Sequence, residues 1–106
     1  MKEINKILQT YLGLTKTETE VLLYIMNSDD MPTVKEMQKD LKKDRTTYQK
    51  VLTSLKKKGL IFKEQRNLDR GFCYLYYAIP KSELKNKLLK KIQVNTINNT
   101  QIIEEW

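Results

Sequence analysis

The chain has 106 residues, a single cysteine, no histidine, and 20 Lys and Arg against 13 Asp and Glu, a formal net charge of +7. This length suits one domain with at most an appended helix, and no apolar run approaches the roughly 18 residues a membrane helix needs. Without histidine the commonest general base and metal ligand is missing, and Cys73 alone cannot close an internal disulfide, which fits a reducing, cytoplasmic setting.

The first segment, Met1 to Tyr11, has no long apolar stretch, so no secretory leader is expected. Ile4, Ile7, Leu8 and Tyr11 repeat at helical spacing, and Gly13 follows where a helix end favours positive φ. Thr15 and Glu18 have the spacing of a capping box, which opens a helix carrying Val21, Leu22, Ile25 and Met26 on one face. Asn27-Ser28-Asp29-Asp30 is turn chemistry, and Met31-Pro32 reads as a short extended piece. Thr33 and Glu36 form a second capping-box pattern before a helix of about two turns whose apolar stripe is Val34, Met37 and Leu41. Asp44 is an N-cap acceptor for the next helix, and Gly59 ends that helix. After Gly59 the apolar period drops to two. Residues 60–66 and 72–79 read as strands around the turn Asn67-Leu68-Asp69-Arg70-Gly71. Pro80 stops the second strand, and helical spacing resumes from there to Trp106.

The charge is concentrated in one place. Lys42, Lys43, Arg45, Lys50, Lys56, Lys57 and Lys58 stand against Asp44 alone, a net of +6 within residues 42–58. A lone run of this kind is usually a solvated helix face, but its setting here is specific. A short capped helix, the tight turn Lys42-Lys43-Asp44 and a second helix with one apolar and one polar-basic face make a helix-turn-helix, and a β-hairpin follows at once as a wing. The expected fold is therefore mainly α with a small β-hairpin, a winged helix-turn-helix over residues 1–80 followed by a C-terminal helix over 81–106. In such units the early residues of the second helix meet base edges in the major groove. Here these are Arg45, Thr46, Gln49 and Lys50, with Lys43 and Thr47 beside them. Arg and Lys suit guanine, Gln suits adenine, and a Thr methyl suits the thymine methyl. Arg66 and Arg70 flank the wing tip, where guanidinium groups meet phosphates or a minor groove. The plainer alternative is that hairpin tips are simply polar.

The strings GLTKTETEVLLYI, KDRTTYQKVLTSLKKKGLI and KEQRNLDRGFCYLYYAIPKSELKNKLL resemble those of the archaeal winged-helix regulators grouped as TrmB-like or MarR-like. Within that group the wing and exit are similar to a subgroup that includes the euryarchaeal archaellum regulator. The likeness runs from Leu12 to Leu89. It implies a dimer that binds promoter DNA. The C-terminal sugar-binding domain of larger TrmB-like proteins is absent from this sequence, so a sugar effector is not carried over and the effector stays open.

Tyr48 stands where related strings carry a smaller residue, and its place on the Leu52/Leu55 face assigns it to the core. Tyr74, Tyr76 and Tyr77 read as hairpin packing, and Cys73 as a small buried hydrophobe. Leu84, Leu88, Ile92, Asn95, Asn99, Ile102 and Trp106 follow spacings of four and three, close to a coiled-coil seam. With no other use for this apolar side within a small domain, Leu84, Leu88, Ile92 and Ile102 are expected to pair with a second subunit. No catalytic, metal or cofactor constellation can be assembled. The functional expectation is a non-enzymatic, homodimeric regulator of double-stranded DNA with no membrane partner. The alternatives are a winged-helix module for protein–protein assembly in the transcription machinery, and a winged-helix domain that binds RNA or nucleic acid without sequence preference.

Overall fold

In the computed structural model, which describes residues 2–91 and 97–106, eight elements follow one another. They are α1 (Lys2–Leu12), α2 (Lys16–Asn27), α3 (Val34–Leu41), α4 (Arg45–Lys57), β1 (Ile61–Asn67), β2 (Phe72–Ala78), α5 (Lys81–Lys91) and α6 (Ile97–Glu105). The fold is mainly helical with a two-stranded antiparallel hairpin, a winged helix-turn-helix. Among the described residues no helix is long and apolar enough to cross a membrane.

The helix ends follow the local chemistry. Thr15 and Glu18 close a complete capping box on α2, each accepting a backbone N–H at 3.1 Å. The Thr33/Glu36 pattern closes only one way. Thr33 Oγ1 accepts from Glu36 N–H at 3.3 Å, while the Glu36 carboxylate meets the Thr33 hydroxyl instead of its backbone. At the end of α4, Gly59 at φ +73° reverses the chain. There Gly59 N–H donates to Lys56 O and Leu60 N–H to Leu55 O, the paired bonds of a Schellman ending. The buried side chains of Leu55 and Leu60 sit beneath that ending.

The core gathers one apolar stripe from each of α1 to α4: Ile4, Ile7 and Leu8; Val21, Leu22 and Ile25; Met37; Tyr48, Val51, Leu52 and Leu55. Ile61 and Ile79 seal it from the foot of the hairpin. In the hairpin Ile61 pairs with Ala78 and Asn67 with Phe72. Tyr76 N–H leaves the ladder to donate to Pro32 O at 3.0 Å, so the Met31-Pro32 piece lies along the hairpin edge.

The C-terminal segment departs from the continuous seam. It forms two helices, and α6 packs back against α5 and α1. Lys85 Nζ donates to Glu104 O at 3.2 Å across that contact. Leu84 and Leu88 are fully buried with Ile103 in the core of the single chain. They have partners within the chain after all, so their expected role at a subunit interface is corrected. Spacing of three and four marks an apolar face but does not say whether the cover comes from the same chain. Ile92 lies outside the described residues, and Ile102 is half-buried against the core.

Candidate nucleic-acid interface

The two faces of α4 divide sharply. Tyr48, Val51, Leu52 and Leu55 are buried, whereas Arg45, Thr46, Gln49, Lys50 and Thr53 are exposed. Asp44 caps the helix: one carboxylate oxygen accepts from Thr47 N–H at 2.8 Å and from Thr47 Oγ1 at 2.7 Å. Those bonds from the Thr47 hydroxyl and N–H hold the Asp44 carboxyl below its usual range. Thr47 is half-buried, and its hydroxyl proton is spent on this cap, which leaves the oxygen only as an acceptor. The Thr53 hydroxyl donates to Gln49 O at 2.7 Å, so the Gln49 side chain keeps its own donors and acceptor toward solvent. Lys43 is half-buried, with its ammonium 3.5 Å from Glu20. Both side chains of that pair are about one-third exposed, so the attraction is weak and a phosphate can compete for it.

Two side chains, Tyr48 and Glu18, fix how α4 is presented. Tyr48 reaches under the turn, where its hydroxyl donates to Met37 O at 2.9 Å and accepts from Lys43 N–H at 3.1 Å. Within that turn Lys42 takes the left-handed conformation at φ 55° and ψ 40°, which costs an L-residue free energy that glycine would not pay. Glu18, buried at the start of α2, clamps the other end. Its Oε2 accepts from Ser54 Oγ at 2.7 Å and Lys58 Nζ at 3.1 Å, both from the end of α4. Burial alone would raise its pKa, but the bonds from Ser54, Thr15 and Lys58 outweigh that and hold the carboxyl low. Tyr24 ties α2 to α3 by donating to Asp40 at 2.6 Å, a bond that pushes its hydroxyl up to about 12.

Sequence reasoning did not find the left-handed conformation of Lys42, the role of Ser54 or the long reach of Glu18. Glu18 was legible as a capping residue, and that role accounts for only one of its two oxygens. No short-range pattern reports that Ser54 and Lys58 arrive beside the other.

Arg66 and Arg70 are exposed on the wing, around a tip closed by Leu68 N–H donating to Gly71 O at 2.9 Å. Gly71 has φ +86°, the conformation its position in the turn requires. Cys73 is half-buried on β2. Tyr76 packs against the core, as expected of hairpin packing, but Tyr74 and Tyr77 stay exposed.

Known proteins agree with this geometry. An uncharacterized protein of Methanocaldococcus jannaschii is 27% identical over 103 residues, spanning 96% of this chain and 74% of that protein. A solved structure described as a possible transcriptional regulator from Methanosarcina mazei superposes with a TM-score of 0.75 at 28% identity. That superposition covers 97% of this chain and 88% of the other. The family model described as "Sugar-specific transcriptional regulator TrmB" matches residues 8–82, from the end of α1 to the start of α5. With the helix-turn-helix and its wing inside that match, the chain belongs to the TrmB family of transcriptional regulators, not to a family of enzymes.

Proposed function

We propose that the chain is a sequence-specific regulator of double-stranded DNA that acts as a homodimer. In this reading Arg45, Thr46, Gln49 and Lys50 read the major groove, and Lys43, Arg66 and Arg70 hold phosphates. The observation that carries it is the exposed polar-basic face at the start of α4, opposite a fully packed apolar face. Thr47 contributes by holding the cap rather than by donating to a base. One winged module covers only about 600–1,000 Å² of DNA, which favours two copies for tight specific binding. The groove between α1 and α6, lined by Lys6, Thr10, Tyr11 and Ile102, is the surface we assign to the second copy.

The test is a gel shift on the chain's own upstream region with competitor DNA. Arg45→Ala and Gln49→Ala are each expected to weaken the specific site by about 1–3 kcal/mol and relax its sequence preference. Lys56→Ala, at the far end of the helix, should leave base preference unchanged. Wild-type affinity in both of the first two variants would remove the assigned reading face. Binding that ignores salt would favour protein assembly over DNA, because each phosphate contact should contribute a log–log slope of about −0.9.

A further inference from the structure

Among the described residues, the large apolar side chains left exposed are Phe62, Leu68, Phe72, Tyr74 and Tyr77, between 37% and 54% exposed, and all lie on the wing. A wing that only meets phosphates needs Arg66 and Arg70 and has no use for these rings. The strand register sorts them. Phe72 stands opposite Asn67, Tyr74 opposite Gln65, and Tyr76 opposite Lys63, all on one face of the hairpin. On that face the Phe72 and Tyr74 rings meet edge-on with centroids 5.4 Å apart. Lys63 Nζ lies 4.3 Å from the Tyr74 centroid. Beside them Gln65 Nε2 donates to Asn67 Oδ1 at 3.2 Å.

We propose that this face, built on Phe72, Tyr74, Lys63, Gln65 and Asn67, is a second nucleic-acid site that takes unpaired bases of single-stranded DNA. Each part has a use toward such a ligand. Lys63 lies over one face of Tyr74, so the Phe72 ring and the other face of Tyr74 are the π-surfaces an unstacked base can cover. The two carboxamides present donors and acceptors to base edges. Lys63 supplies the charge that tracks a backbone. A duplex keeps its base faces stacked inside and cannot use exposed rings in this way. An acidic partner site is also absent: the strand residues on this face include no carboxylate, since Glu64 lies on the opposite face. The site is separate from the reading face of α4, so it stands or falls independently of duplex recognition.

The test uses the full chain and a labelled thymidylate oligomer of about 12 nucleotides, within the span such sites cover. Wild type is expected to bind it. Phe72→Ala and Tyr74→Ala should each weaken that binding at least about fivefold, the lower end for a lost base stack. Phe72→Leu, which keeps the apolar bulk and removes the π-face, should behave like Phe72→Ala, while Tyr74→Phe should retain binding. Lys63→Ala should reduce the salt slope by about 0.7, the value for one phosphate on a single strand. Duplex binding should move less than about twofold in the ring variants, by the same stacking logic. Arg45→Ala should leave the oligomer bound. The proposal is overturned if wild type ignores the oligomer, or if Phe72→Leu binds it as wild type does. It is equally overturned if the ring variants keep the oligomer but lose self-association, which would make the face a contact between copies.

Discussion

Tyr48 shows what a single residue does here and how far it can be foreseen. Its apolar neighbours Leu52 and Leu55 lie on its own helix face, so its burial was legible from spacing. Its hydroxyl partners were not, because Met37 O and Lys43 N–H reach it only once the two helices have met. Those bonds matter because the Tyr48 side chain is fully buried and its bond to Met37 O is made out of reach of solvent. Tyr48→Phe leaves the Met37 carbonyl and the Lys43 N–H without this partner, which should cost about 1–3 kcal/mol. Urea denaturation should show it as a lower midpoint with an unchanged slope. An unchanged midpoint would mean that water replaces the hydroxyl. Lys42 illustrates the opposite case. Glycine is the usual marker of a left-handed residue, so a lysine in that conformation gave no warning.

At the scale of elements, the boundaries that capping residues write were read well. Asp44, Gly59 and the Thr15/Glu18 box all stand where the helices begin or end. Contacts between elements were less legible, and the link from α2 to α4 through Glu18 is the clearest instance. Because the folded-state pKa of Glu18 is depressed, its contribution is present above the ordinary glutamate value, about 4.3, and is lost as pH falls through the lower folded value. Glu18→Gln should therefore cost about 1–2 kcal/mol at pH 7, reduced from a fully buried pair because Lys58 is partly exposed. The gap between the two proteins should narrow on acidification below that value. Parallel stability curves from pH 7 to the acid limb would show that the clamp carries no net charge effect.

For the whole molecule, the packing of the C-terminal helices bears on the proposed pairing of two copies. Spacing revealed the apolar side of α5, yet Leu84 and Leu88 close on α1 and α6 in the same chain. Ile102 is the more informative position, since it is only half covered and borders the groove assigned to the second copy. In sedimentation experiments Ile102→Glu should shift the protein toward monomer while its circular dichroism stays native. Leu88→Glu should instead unfold the chain, because it places a charge in a fully packed core. A dimer is expected to read half-sites about 34 Å apart or a multiple of it. Ile102→Glu should consequently lose the preference for paired half-sites before it loses DNA affinity altogether. If Ile102→Glu still dimerises, the interface lies elsewhere.

The wing also sets a timescale. The molecule measures 54 × 23 × 22 Å, and within the strands only Ile61 and Leu75 are buried. Tyr76 N–H to Pro32 O is the backbone bond that fastens the middle of the hairpin to the body. A two-stranded hairpin is marginal on its own. Its outer amides, between Lys63 and Leu75, should exchange with deuterium by local opening, without waiting for the molecule to unfold. Mild denaturant should scarcely speed that exchange, because little new surface is exposed. Ile79 N–H, bonded to Leu60 O at the foot of the hairpin, should follow the slow exchange of α2 and α4. The tip can then come apart and re-form many times while α4 holds still.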